Sequence, residues 1–191
     1  MGTPKALLPF GGETMLQRVV RLLGGVVAPI VVVAAVDQEL PRLPADVIVT
    51  RDEHQGRGPL EGLRAGLKAL PPGIDAAYVT SCDVPLLVPA FVQQMLELAD
   101  GYDVAVMEID GFTHPLSAVY RTTTLRHVDD LLAQNRLRPV FLFEAVKTRR
   151  VRPEDMTADP VLRTLRNLNT RDDYERALAE AGLSHAEGSQ D

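Results

Sequence analysis

Apolar positions along the chain follow two alternating patterns, a helical spacing and short unbroken runs. Between Thr14 and Leu23, the residues Met15, Val19, Leu22 and Leu23 share one helical face, and Gly24-Gly25 ends the run. Ile30–Ala35 (IVVVAA), bounded by Pro29 and Asp37, is a β-branched run without polar alternation, the pattern of a strand covered on both faces. Val47–Thr50 predicts a second strand, and Ala77–Cys82 (AYVTSC) a third that ends at Asp83. Helices are predicted over Pro59–Leu70 and from Pro89 onward, each with proline in the first turn, where its missing N–H costs little. Asp103–Ile109 and Leu116–Tyr120 read as strands, Thr123–Ala133 and Pro139–Val146 as helices, and Thr148–Val151 as a strand. Arg171–Ala181 is the last helix, introduced by Thr170 with Asp173 three places on, a variant of the capping-box spacing.

Alternating strands and helices predict an α/β fold of three layers, with helices on both faces of a mostly parallel sheet. Without an internal repeat or a long linker, residues 1–182 read as one domain and the polar 183–191 segment as a disordered tail. The opening segment, MGTPKALLPFGG, reads as a loop with no strand before it. Doubly wound nucleotide-binding sheets instead begin with a buried strand feeding a glycine-rich turn.

Composition narrows the class. A chain of 191 residues buries roughly 70% of its unfolded surface and needs no covalent or metal staple. Trp is absent and aromatics make up 5%, so Leu, Val and Ala fill the core and a base-stacking platform is disfavoured. Twenty basic against 26 acidic residues leave a net charge of −6. The one dense basic cluster, Lys147-Thr148-Arg149-Arg150 with Arg152, reads as a solvated face, so nucleic acid is not an expected partner. The single cysteine, Cys82, excludes an internal disulfide and a Cys-only metal site, and reads as a small buried residue. No apolar run reaches the ~18 residues of a membrane span and no leader pattern opens the chain, so a cytoplasmic protein is expected.

Ligands in open α/β sheets lie beyond the carboxyl ends of the strands. Asp83, in Cys82-Asp83-Val84-Pro85, is placed there either to hold a hard divalent cation or to cap the turn before the next helix. Gly56-Arg57-Gly58-Pro59-Leu60-Glu61-Gly62 lets backbone approach a ligand at a helix N-terminus, or is an ordinary tight turn. Asp52, just before it, is a candidate partner for a base or ribose. Lys5, ahead of the Gly11-Gly12 pair, is either a phosphate anchor or a surface lysine. His114-Pro115-Leu116 lies just ahead of a strand, as a ligand-facing turn or merely the start of that strand. Asn167-Leu168-Asn169-Thr170 puts two amides on one side of an extended segment, suited to a flat heterocycle, or simply leads into the last helix.

In order and at these separations, the motifs are far more specific than any one of them. Met1-Gly2-x-Pro4-Lys5 is similar to the end of the motif L-A-G-G-x-S-x-R-M-G-x-[PD]-K of small nucleotidyltransferases. With Gly58-Pro59-Leu60-x-Gly62, Cys82-Asp83-x-Pro85, His114-Pro115-Leu116 and Asn167-x-Asn169-Thr170, the series resembles the molybdenum cofactor guanylyltransferases over about residues 1–180. That resemblance implies a Rossmann-like nucleotide-diphospho-sugar transferase fold and transfer of GMP from GTP to the phosphate of molybdenum-bearing molybdopterin, with Mg²⁺. It implies Lys5 on the nucleotide phosphates, Asp52 with Gly58, Pro59, Leu60 and Gly62 at the nucleoside, and Asp83 as Mg²⁺ ligand. Lys5 and Asp83 would be catalytic, and His114, Asn167 and Asn169 would face the pterin. Transient contact with molybdoenzyme maturation proteins is the partner expectation.

The chain departs from the pattern in three places. The family's first strand and its L-A-G-G-x-S-x-R loop are absent, and the expectation is a native protein that starts upstream of Met1, since every later motif is present. Glu61 stands where the family often carries a small residue, and Val36-Asp37 follows the IVVVAA strand in place of Arg or Asn. Two other readings fit the same residues: a cytidylyl- or sugar-phosphate nucleotidyltransferase of this fold, and a non-catalytic nucleotide- or cofactor-binding homologue.

Overall fold

The computed structural model describes residues 4–52, 54 and 56–183. Met1–Thr3, and the 184–191 part of the predicted tail, lie outside these described residues. In chain order the elements are β1 (Pro9–Phe10), β2 (Glu13–Thr14), α1 (Met15–Gly24), β3 (Val31–Ala34), β4 (Ile48–Arg51), α2 (Pro59–Ala69) and β5 (Ala76–Thr80). There follow α3 (Pro89–Leu98), β6 (Val104–Ile109), β7 (Phe112–Arg121), α4 (Leu125–Ala133), α5 (Val140–Ala145), β8 (Thr148–Val151) and α6 (Arg171–Glu180). The predicted strands and helices are all present, with ends shifted by a residue or two apart from β7, which starts four residues early.

Strand alternation builds the layers. On β5 and β6, Ala77, Val79, Val104 and Val106 pack with Leu60, Leu63, Val128, Leu131 and Leu142 of α2, α4 and α5. The residues between them, Ala76, Tyr78, Ala105 and Met107, pack on the other face with Phe91 and Met95 of α3. α1 and α6 join that face through Val19 and Leu23 against Val92, and through Ala177 and Leu178 against Phe10 and Leu86.

The sheet is mixed, not mostly parallel. β3 pairs with β4 in parallel, and β5-β7-β6-β8 form a four-stranded sheet in which only β6–β8 is parallel. The cause is local: Asp110-Gly111, with φ of 50° and 79°, is a two-residue turn that folds β7 back along β6. A connection that short joins antiparallel strands, because a parallel pair needs a crossover of a dozen residues or more. Each of β3 and β5 has one edge without a strand partner among the described residues. All five β5 residues are half-buried. On β3, Val32 packs with Leu16 and Val20 of α1, and Val33 lies against α2, 3.3 Å from where a Cβ on Gly66 would stand. The IVVVAA run thus has a helix on each face, with Val32 and Ala34 buried and Val31 and Val33 half-buried.

The opening segment is also more structured than a loop. Pro4 O accepts from Leu7 N at 2.9 Å in a single 3₁₀ turn over Lys5–Leu7, and β1 and β2 form a small hairpin. Ala6 and Phe10 are buried, so apolar packing brings Lys5 onto the body of the domain. At the other end, Leu183 packs in the cluster of Phe10 and Leu178.

Candidate active site

Asp83 follows β5 and is buried at the carboxyl end of the sheet. Its Oδ2 accepts from Lys5 Nζ at 2.6 Å, and its Oδ1 accepts from Asn167 Nδ2 at 3.3 Å and from the Ser81 hydroxyl. Lys5 Nζ also donates to Asn169 Oδ1 at 2.7 Å, closing a cluster whose members lie up to 164 residues apart in sequence. Asn167 and Asn169 are exposed while Leu168 between them is buried, the alternation expected of an extended segment. Leu168 N donates to the Asp83 carbonyl at 3.0 Å, which clips this segment onto the Asp83 turn.

Two supports of this cluster are absent from the sequence reading. Ser81 stands two residues before Asp83, just past the end of β5, where the turn brings its hydroxyl onto Asp83 Oδ1. Arg18 of α1 donates from Nε to the Pro85 carbonyl at 2.7 Å and stacks over Phe10, 4.9 Å from its centroid. It thereby holds the same turn from behind. Burial pushes the Cys82 thiol up, as does the neighbouring Asp83 charge, so the thiol stays protonated and packs beside Ala6, Leu16 and Val32.

The second group gathers at the start of α2. Gly58 adopts φ 72°, and it and Pro59 are exposed, whereas Leu60 is fully buried in the core. Leu60 has no exposed surface, backbone included, so of these residues only Gly58 and Pro59 are open to a ligand. A Cβ on Gly62 would lie 3.7 Å from Asp52 Oδ1, so the carboxylate rests against the first turns of α2, where the helix dipole favours negative charge. Asp52 Oδ1 is nevertheless buried without a hydrogen-bond partner among the described residues. Burial, and then the charge of Glu61, hold the Asp52 carboxyl above its ordinary 3.8. Ionised Asp52 thus costs folding stability, a cost absent below pH 3.8 and growing as pH rises through the raised value. Asp52→Asn is expected to raise Tm near neutral pH, with the gain vanishing at acid pH. Thermal unfolding followed from acid to neutral pH checks this, and a gain independent of pH would contradict it.

His114 lies inside β7, not ahead of a strand. The β6–β7 register passes from Val106↔Ala118 to Met107↔His114, so Pro115, Leu116 and Ser117 bulge out of the ladder. Tyr120 donates its hydroxyl proton to the Pro115 carbonyl at 2.8 Å, and the bulge stands beside Thr80 at the end of β5. Burial lowers the His114 pKa below 6.5, leaving the ring neutral at pH 7. No hydrogen bond joins it to the Asp83 cluster among the described residues. None likewise joins that cluster to the Asp52 group.

A MobA-like NTP transferase domain model matches residues 1–149. The chain belongs to that family. Within it, a Mycobacterium avium protein named "Probable molybdenum cofactor guanylyltransferase" is 37% identical over 188 residues, covering 95% of this chain and 89% of its own length. One of the same name from Pelotomaculum thermopropionicum is 31% identical over 182 residues, 95% of this chain and 87% of the relative. Among solved structures, the molybdopterin-guanine dinucleotide biosynthesis protein A of Archaeoglobus fulgidus shares the fold with a TM-score of 0.76 at 19% identity, over 95% of this chain and 92% of that one. The 2-C-methyl-D-erythritol 4-phosphate cytidylyltransferase of Thermus thermophilus shares it with a TM-score of 0.70 at 19% identity, over 95% of both chains. The MobA-like family is thus shown by sequence, and its fold is common to transferases of different bases. No helix among the described residues is long and apolar enough to cross a membrane.

Proposed function

We propose that this MobA-like protein transfers GMP from GTP to the phosphate of molybdenum-bearing molybdopterin, releasing pyrophosphate. The observation that carries this reading is the convergence of Lys5, Ser81, Asp83, Asn167 and Asn169 beyond the carboxyl end of β5. Relatives similar over most of the chain carry the guanylyltransferase name.

A phosphate oxygen of molybdopterin attacks the α-phosphorus of GTP, and the bond to the departing pyrophosphate breaks in line with the attack. Little covalent work falls to the protein, so positioning and charge dominate. The Lys5 ammonium holds phosphate oxygens. Asp52 and the backbone of the Gly58–Gly62 turn hold the nucleoside. Asn167 and Asn169 present amides to the pterin, and the neutral His114 ring lines the same half.

The donor set fits a hard cation. The Asp83 carboxylate, with the Ser81 hydroxyl beside it, offers oxygen ligands, while Asn167 turns its Nδ2 toward Asp83, and the described residues contain no cluster of three or more His, Cys, Asp or Glu. One carboxylate completed by substrate phosphates and water is the pattern Mg²⁺ favours. Bound at Asp83, Mg²⁺ supplies charge neutralisation for the phosphates.

Thermal-shift binding of GTP, CTP and UTP, each with Mg²⁺ and with EDTA, tests the reading. Stabilisation by GTP that depends on Mg²⁺ and exceeds that by CTP and UTP is expected. A preference for CTP would transfer the protein to the cytidylyl class, and no response to any nucleotide would overturn nucleotidyl transfer.

A further inference from the structure

Glu61 sits in the first turn of α2 at 1% exposure, and the reaction above makes no use of it. A buried carboxylate is costly unless paired, and the pairing here is unusual. Oε1 accepts from Arg64 Nη2 at 2.7 Å and faces His54 Nδ1 at 3.4 Å, while Arg57 Nη1 stands 3.8 Å from Oε2. Oε2 itself has no hydrogen-bond partner among the described residues. Burial raises the Glu61 pKa, but the bonds and charges of Arg64 and His54 outweigh it and hold the group ionised.

These partners come from both sides of the nucleotide turn. Arg64 lies one helical turn on, 3.8 Å from Asp129 of α4. His54 and Arg57 belong to the segment between β4 and α2, where Gly56 and Gly58 take φ of 79° and 72°. Arg57 also donates to the Leu132 carbonyl on α4. A small side chain at position 61 would leave that segment without its acidic anchor.

We propose that Glu61 is a positioning residue for the nucleotide half of the site. Its buried carboxylate holds His54 and Arg57 against α2, Arg57 being tied to α4 as well, and so sets where Asp52 and the Gly58–Gly62 turn meet the nucleoside. The inference rests on the guanylyl-transfer reading.

The test compares wild type, Glu61→Gln, Arg57→Ala and the double variant by GTP affinity, KM for GTP, kcat and Tm. Glu61→Gln keeps the shape and removes the charge, and Arg57→Ala removes one partner from the segment side. Each single change is expected to raise KM for GTP about tenfold, more than it lowers kcat, because it disturbs the prearranged binding geometry. The double variant is expected to fall short of the product of the two, as for residues acting through one contact. A lowered Tm with unchanged KM would make Glu61 structural only and overturn the proposal, as would fully multiplicative effects. Wild type that binds GTP as tightly as Glu61→Gln does overturns this role alone. Wild type that binds no GTP overturns the transferase reading with it.

Discussion

Asp83→Ala is expected to cost at least about a thousandfold in turnover while the protein still folds. The carboxylate accepts from Lys5, Ser81 and Asn167 at once, so its removal takes away the cluster's only negative charge and the proposed metal ligand together. The fold is held by other contacts: the Asp83 carbonyl still accepts from Leu168 N, and Arg18 still holds the Pro85 carbonyl. Lys5 keeps Asn169 and is itself half-buried, so the loss of stability is expected near 1 kcal/mol, about 2–4 °C in Tm. Single-turnover transfer measured beside thermal unfolding separates the two effects. A variant that turned over at the wild-type rate would remove Asp83 from the chemistry.

The largest effect on stability is expected at Phe91. Its ring is fully buried, meets Tyr78 edge-on at 6.4 Å between centroids, and packs with Met95, Met107 and Met156. Phe91→Ala removes that area and leaves a cavity among residues drawn from α3, β5, β6 and the segment after β8, which cannot all close in. The expected loss is about 3–5 kcal/mol, a large share of the margin of an ordinary domain. Urea unfolding reads it as a lower midpoint with an unchanged slope. A loss under about 1 kcal/mol would show that the methionines reflow into the space.

These predictions rest on features that were legible to different degrees. Helix and strand positions follow from side-chain period, which is local. Capping residues are local too: Thr14 caps α1 with Gln17, and Thr170 caps α6 with Asp173, both by side chain and backbone together. The β6–β7 hairpin carried a legible Asp110-Gly111 turn, yet strand–helix alternation elsewhere pointed to a parallel sheet. The β1–β2 hairpin was not legible, because two-residue strands have no period to read.

In the site, Asp83, Lys5, Asn167 and Asn169 could be singled out because their residue types stand at predicted strand ends or in motifs. Ser81 was not, because it lies past the end of β5 and only the turn that follows brings its hydroxyl to Asp83. Nor was Arg18, since a helix arginine becomes a support only when packing brings it to Pro85 O.

By itself, then, the sequence determined the order of elements, the α/β class, the family and most of the polar residues at the crevice. Each follows from the chemistry of near neighbours and from the order of the motifs along the chain. The tertiary structure alone decided that Lys5 meets Asp83 across 78 positions, that β7 lies antiparallel between β5 and β6, and that Glu61 is a buried hub of charge. Such pairings are set by which surfaces bury together, and burial couples positions whose separation in sequence carries no information about their distance in space.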